Sequence, residues 1–260
     1  MMSSEIYEGK LVDLIDTKLY ACVEPNEDDL PVWCIGDVHG CIDEFSELLH
    51  AIRQQTPSCI IYQLGDMIDR GPGDVLMMYK LCDMYRVRLI VGNHEMNFVQ
   101  EHMGYKRCRS KERAKTHDMV SRYFPDDVDF ILTKMLESKN KAVVHSNGRI
   151  WHLSHAPYRF WDSEMKSGNA LAYCTQSQGY ELMTGHDVSR FPDEFSAHGH
   201  QHWAYEELEV NNGFLTTFDK VHYNLDSGCV YGGKLTALEL SSLQCIQIQA
   251  KQTYFQPQKD

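Results

Sequence analysis

VWCIGDVHG (32–40), CIIYQLGDMIDRGP (59–72) and VRLIVGNHE (87–95) repeat one pattern: a short apolar run, a glycine, then acids, imidazoles or an amide. Runs of this length, broken by a polar turn, are how buried strands read. Between the first two, Ile42, Phe45, Leu48, Leu49 and Ile52 recur at helical spacing, and between the second and third Val75, Met78, Leu81 and Cys82 do the same. The order is therefore β-α-β-α-β, which predicts a mainly parallel sheet with helices on its faces and polar groups gathered beyond the C-terminal strand ends.

Outward from this unit the pattern changes. AVVH (142–145), IWHLSHA (150–156), FSAHG (195–199), FLTTF (214–218), HYNLD (222–226) and LTALEL (235–240) read as strands separated by Gly, Asn and Asp turns. They predict a second sheet, more mixed or antiparallel, packed on the first. The expected fold is an α/β sandwich of two sheets flanked by helices.

At 260 residues the chain is long enough for one large core, and no linker divides it, so a single domain over 1–260 is expected. Its core runs from about 32 to 240, with an N-terminal extension and a polar, loosely held tail, QTYFQPQKD (252–260). A net charge of −12 argues against strong nucleic-acid binding, because backbone phosphates are held by clustered Lys and Arg. An anionic substrate must then be attracted locally, which bound divalent cations in an acidic cleft would do. The one basic cluster, KRCRSKERAK (106–115), is either a solvated helix face or loop, or a rim that receives such a substrate. Nine cysteines without a C-x-x-C pair fit a reduced, cytoplasmic setting. MMSSEIYEGK (1–10) lacks a basic region followed by an apolar run, and no stretch approaches a membrane span.

The chemistry lies in the turns. Carboxylate, imidazole and amide oxygen suit hard or borderline divalent cations such as Mn, Fe and Zn. Asp37 and His39 are two residues apart, so an extended backbone would send both to one face and let them chelate a single ion. His155 in LSHA and the cluster AHGHQH (197–202) belong to the second half and must meet the first group across the sandwich.

This ordered set of motifs, over residues 32–240, resembles the metallophosphoesterases, specifically the branch of serine/threonine phosphoprotein phosphatases. Small members of that branch resemble the phage lambda phosphatase and the symmetrical dinucleoside tetraphosphate hydrolases. NLDSGCVYGGKLTAL (224–238) is similar to their closing segment. The resemblance implies two bound divalent ions, manganese first, with iron or zinc as alternatives. Asp37 and His39 would hold one ion, Asp66 would bridge, and Asn93, His155 and His200 would complete the second site. Arg70 would grip a phosphate oxygen and His94 would be the acid, oriented by Asp69. His202 stands where broader relatives have an extra ligand, while His198 reads as structural. The second phosphate-binding arginine of the protein phosphatases has no clear copy here, with Arg159 and Arg190 as the candidates.

The implied activity is hydrolysis of phosphoserine, phosphothreonine or similar phosphate esters by direct attack of water activated between the ions, without a phosphoenzyme. The alternatives are a dinucleoside polyphosphate hydrolase, a family that usually replaces Asp69, and a phosphatase or phosphodiesterase on nucleotide or RNA ends. The expected partner is a phosphorylated protein or a small phosphate ester. A non-catalytic scaffold would show a lost ligand, and every expected ligand is present.

Overall fold

The computed structural model describes residues 30–158, 187–202, 206–211 and 213–256. The first unit is as the sequence predicts: β1 (Val32–Ile35), α1 (Ile42–Gln55), β2 (Ile60–Gln63), α2 (Val75–Tyr85) and β3 (Val87–Leu89). Three helices follow, α3 (Asn93–His102), α4 (Lys111–Tyr123) and α5 (Val128–Glu137). The remaining strands are β4 (Lys141–Ser146), β5 (Arg149–Ser154), β6 (Glu194–His198), β7 (Glu206–Val210), β8 (Gly213–Phe218), β9 (His222–Asn224), β10 (Lys234–Glu239) and β11 (Cys245–Gln249).

These strands form two mixed sheets, ordered β11-β10-β1-β2-β3 and β4-β5-β6-β9-β8-β7. In the first, β1, β2 and β3 run parallel, and β10 returns antiparallel to β1 with Trp33 opposite Glu239. In the second, β5, β6 and β9 are parallel, with antiparallel neighbours on both sides.

The alternation along β1 explains the layering. Val32 and Cys34 join Tyr62, Leu64 and Leu238 against Trp151, Leu153, Ala197 and Tyr223 of the second sheet. Trp33 and Ile35 point the other way, onto Phe45, Leu48 and Ile52 of α1 and Met78 of α2. Successive residues of a strand face opposite sides, so one continuous apolar run serves both cores. The fold is thus the α/β sandwich of two mixed sheets.

Local signals agree with these elements. Asp74 caps α2 by accepting from the Met77 N–H at 3.0 Å, and Asp43 and Glu44 place negative charge in the first turn of α1. Among the described residues no helix is long and apolar enough to cross a membrane.

The tail is a correction. Residues 252–256 are not loosely held: the Tyr254 and Phe255 N–H groups donate to the Val230 carbonyl at 3.0 Å, and both side chains pack on the helical core. The edge strand β11 also escaped the sequence reading. Its CIQIQ repeat is too short to separate from the serine-rich turn before it.

Candidate active site

The site forms where β1, β2 and β3 of one sheet and β5 and β6 of the other reach their C-terminal ends. Asp37, Asp66 and Asn93 come from the first group, His155 and His200 from the second. Backbone bonds lock the first two turns together. The Val38 and His39 N–H groups both donate to the Asp66 carbonyl, at 3.1 and 2.8 Å, and Gly40 N–H donates to Met67.

These turns are not extended, which corrects the alternation argument for Asp37 and His39. β1 ends at Ile35, and His39 has φ +45°. His39 still meets Asp37, at 3.8 Å from Nε2 to Oδ2, but it does so through a left-handed turn. Asp66 (+53°), Asp69 (+70°), Arg70 (+68°) and His200 (+72°) share that region. Each such residue without glycine's freedom costs about 1–2 kcal/mol, and such strain concentrates where side chains must be aimed.

Glu95 holds the strained turn in place. Its Oε1 accepts from the Met67 and Ile68 N–H groups at 2.9 and 3.2 Å, and its Oε2 from Asp66 and Gly92 at 3.0 and 2.9 Å. Gly92 and Gly199 are glycines for lack of room. A Cβ at 92 would lie 2.2 Å from the Asp66 amide nitrogen, and one at 199 would lie 2.0 Å from Asp37 Oδ1.

Asp66 is the hub. Its Oδ2 lies 3.5 Å from His39 Nε2 and 3.8 Å from His94 Nε2, and its Oδ1 lies 3.3 Å from His155 Nε2. His155 Nε2 in turn lies 3.1 Å from Asn93 Oδ1 and 3.0 Å from His200 Nδ1. Two groups of metal-capable donors, His39–Asp66–His94 and Asp66–His155–His200, therefore share one carboxylate.

The ring orientations favour a cation at this cluster. His39 Nδ1 is 3.0 Å from the Ile68 carbonyl and His155 Nδ1 is 2.8 Å from the Leu64 carbonyl. A carbonyl only accepts, so both rings carry their proton on Nδ1 and aim Nε2 at the cluster, the arrangement of metal-ligating histidines. His200 N–H donates to Asp37 Oδ1 at 2.9 Å, and His94 N–H to Asp66 Oδ1 at 3.1 Å.

Electrostatics carry the same message. Burial, and then Asp226 and Asp66, push the Asp37 carboxyl well above the usual range. Burial opposes charge on His155, yet Asp66 and then Asp37 drive it up to about 10. Burial would raise Asp66 too, but His155 and His94 hold it well below the ordinary carboxylate value. His39 is depressed by burial and then by Arg70. A divalent cation relieves these opposed demands, because the acids can stay ionised and the rings neutral.

Beside the hub lies a relay. His94 Nδ1 is 2.5 Å from Asp69 Oδ2, and Asp69 Oδ1 accepts from the Thr116 hydroxyl of α4. His94 Nε2 thus faces the cluster with its ring held from behind. Arg70 directs Nη1 at His39 Nε2, and its guanidinium lies over the rings of Tyr231 and Phe255, 5.7 and 6.0 Å from their centroids.

Other sequence candidates sit elsewhere. His198 is fully buried with Nδ1 3.1 Å from the Gly199 carbonyl, and its Nε2 has no hydrogen-bond partner among the described residues. His202 is exposed and packs on Tyr231 with ring centroids 4.5 Å apart, outside both shared donor groups. Arg190 is exposed in the turn before β6, its guanidinium over Phe191. Arg159 lies outside the described residues. The basic stretch divides: Lys106 reaches Asn97, whereas Arg113 donates to Glu101 at 3.0 Å from inside α4.

Glu95, Thr116, Asp226 and the Tyr231–Phe255 pair were not singled out from sequence. Glu95 was quoted within GNHE, and Asp226 and Tyr231 within the closing segment 224–238, but no role was read for any of them. Thr116 lies in the first half of an unremarkable polar helix.

The calcineurin-like phosphoesterase family model matches residues 30–204. A symmetrical bis(5'-nucleosyl)-tetraphosphatase of Buchnera aphidicola subsp. Baizongia pistaciae is 24% identical over 209 residues, 76% of this chain and 70% of that protein. The protein of the same name from Escherichia coli K12 / DH10B is 39% identical over 87 residues, but these are 32% of this chain and only 30% of that one. A crystal structure provisionally named a diadenosine tetraphosphatase superposes with TM-score 0.62 at 19% identity, covering 89% of this chain and 99% of that one. A serine/threonine phosphatase from Saccharomyces cerevisiae gives 0.57 at 13% identity, covering 95% and 89%. At these identities the structures speak for the fold alone. With the family model matched along most of the chain and its strand-end motifs gathered into one cluster, the chain belongs to the calcineurin-like metallophosphoesterases, a family of metal-using phosphohydrolases.

Proposed function

We propose that this chain hydrolyses phosphoanhydride bonds of dinucleoside polyphosphates with two divalent ions. The observation that carries the two-ion reading is Asp66, one carboxylate shared by two groups of donors. Asp37, His39 and Asp66 would hold one ion, and Asp66, Asn93, His155 and His200 the other; manganese, iron and zinc all suit this donor set. When bound, such a pair supplies Lewis-acid activation of water and neutralises the charge of the phosphoryl group.

The chain's own residues do the rest. Arg70 offers its planar guanidinium to a phosphate oxygen, which it binds in two-pronged fashion. His94 donates the Nε2 proton to the departing oxygen, while Asp69 holds Nδ1–H and with it the ring. Thr116 fixes the Asp69 carboxylate. The substrate class is supported by the names of the curated relatives, which are symmetrical bis(5'-nucleosyl)-tetraphosphatases.

One observation favours a second reading, a phosphomonoesterase acting on phosphoserine or phosphothreonine. A nucleotide leaves as a stable anion and has little need of a proton, whereas a seryl alkoxide requires one. The intact Thr116–Asp69–His94 relay is what the harder leaving group calls for. Turnover by the chelator-stripped protein reloaded with Mn, Fe or Zn separates the two, using diadenosine tetraphosphate, a phosphoserine peptide and a 2′,3′-cyclic nucleotide. Symmetrical cleavage of the first at the highest kcat/KM is the expected result. Preference for the peptide establishes the second reading, and preference for the cyclic nucleotide overturns both.

A further inference from the structure

The segment that follows β11 runs back across the molecule to the active site. Ala250 N–H donates to the Gly233 carbonyl at 3.0 Å, and Lys251 N–H to Glu44 Oε1 at 2.8 Å. The Tyr254 hydroxyl reaches the same Glu44 oxygen, also at 2.8 Å. Glu44 is fully buried in the first turn of α1, the helix that follows the turn carrying Asp37 and His39. A carboxylate in so dry a place needs donors, and two of them come from this one segment. Tyr254 and Phe255 then tie their backbone to the Val230 carbonyl, so Phe255 is anchored on both its own backbone and its neighbour's side chain.

That anchoring delivers an aromatic ring to Arg70. Phe255 and Tyr231 stand 6.1 Å apart at 60°, and the Arg70 guanidinium lies over both. The Arg70 backbone is already fixed, with φ +68° and the next N–H donating to the His39 carbonyl at 2.9 Å. What remains undetermined is the long side chain, whose rotamer freedom is among the largest of any residue. Besides the contact of Nη1 with His39 Nε2, two ring faces restrict it and leave the rest of the guanidinium edge for an anion, because stacked cation–π contact uses the face and hydrogen bonding uses the edge.

We infer that Tyr231 and Phe255 are positioning residues that set the Arg70 guanidinium for phosphate, making the segment after β11 part of the substrate site. Both residues lie beyond the 30–204 stretch matched to the family. The inference rests on Arg70 being the phosphate-binding arginine of the proposed function. It assigns Phe255 no contact with the reacting atoms.

The test uses the metal-loaded full chain, p-nitrophenyl phosphate as substrate and inorganic phosphate as inhibitor. Phe255→Leu keeps the bulk and removes the ring face. It should raise KM and the phosphate inhibition constant roughly 3–10-fold, the worth of a partly desolvated cation–π contact, with kcat changed less than about twofold. Metal content should be unchanged, and Phe255→Tyr should restore parental values. In an Arg70→Ala background Phe255→Leu should have no further effect. A parental phosphate constant for Phe255→Leu overturns the inference, as does a loss that persists without Arg70. Arg70→Ala with parental phosphate binding sinks the functional reading of Arg70 itself, a result seen in that single variant alone. If Phe255→Leu does not fold, Tyr231→Leu on the other ring is read by the same criteria.

Discussion

Glu95→Gln is the substitution whose consequence follows most directly from the geometry. The carboxylate is 2% exposed and accepts four backbone N–H groups, two on each oxygen, from Asp66, Met67, Ile68 and Gly92. An amide has one acceptor oxygen, so whichever way Gln turns, one pair of donors faces an NH2 group and loses its partner. At pH 8, above the value of about 7 to which burial raises this carboxyl, Glu95 is ionised; hydrogen bonds to a charged group are worth about 1.5–3 kcal/mol each, so losing two costs about 3–6 kcal/mol. For a chain of this size that lowers Tm by roughly 6–24 °C. The melt should be run with excess chelator, since an ion bound only by the native state would mask part of the loss. The same turn holds Asp66 at φ +53°, so the variant should also take up less Mn at saturation than the parent. A Tm within about 3 °C of the parent, with full ion uptake, would show that Glu95 does not hold the turn.

Asp66→Asn should remove nearly all activity and bring ion content below two per chain, read by elemental analysis after buffer exchange; one ion or none in fully active parental protein refutes the shared-carboxylate assignment. His94→Asn should lower phosphoserine peptide turnover by roughly 10²–10⁴-fold and p-nitrophenyl phosphate turnover visibly less, with Thr116→Val a milder copy of the same selectivity. Equal losses on both substrates, or a lost ion, would make His94 a ligand. His198 is held neutral by burial, its pKa lowered to about 4 against 6.5 unfolded. The unfolded chain therefore binds the extra proton between those values, and ion-free stability should fall by about 3 kcal/mol as pH drops from 6.5 to 4 and level off below. Chemical denaturation of His198→Gln across that window should lose this share of the slope, and an unchanged slope would place the titration elsewhere.

The strand-end residues were legible because each motif is local: an apolar run announces the strand, and the polar residues after it have nowhere to go but the sheet edge. His155 and His200 were legible only as strand-end residues of the second half, and it took the pairing of β5 with β6 to bring them to Asp66. Left-handed backbone at Asp69 and Arg70 was beyond reach, since the bonds around it, from the Gly71 N–H to the His39 carbonyl and from the Thr116 hydroxyl to Asp69, join residues more than 30 positions apart in sequence. Thr116 matters through a single hydroxyl, and a polar helix offers many. Tyr254 and Phe255 were read as tail because two aromatic residues among glutamines show no period. Their partners, Glu44 and Val230, are distant in sequence.

The antiparallel return of β10 against β1 has a consequence for the chain as it is made. The parallel β1-β2-β3 unit is complete once Leu89 has been synthesised, but the outer edge of β1 has no mate until Lys234–Glu239 arrives. At about 5–20 residues per second that interval is roughly 7–30 s. During it, a strand of Val, Trp, Cys and Ile presents open amides and carbonyls, the template on which chains add to one another. A ribosome stalled between Leu89 and Lys234 should therefore hold a nascent chain that holdase chaperones protect at Val32–Ile35, and release of the next hundred and fifty or so residues should end that protection by capping the edge from within.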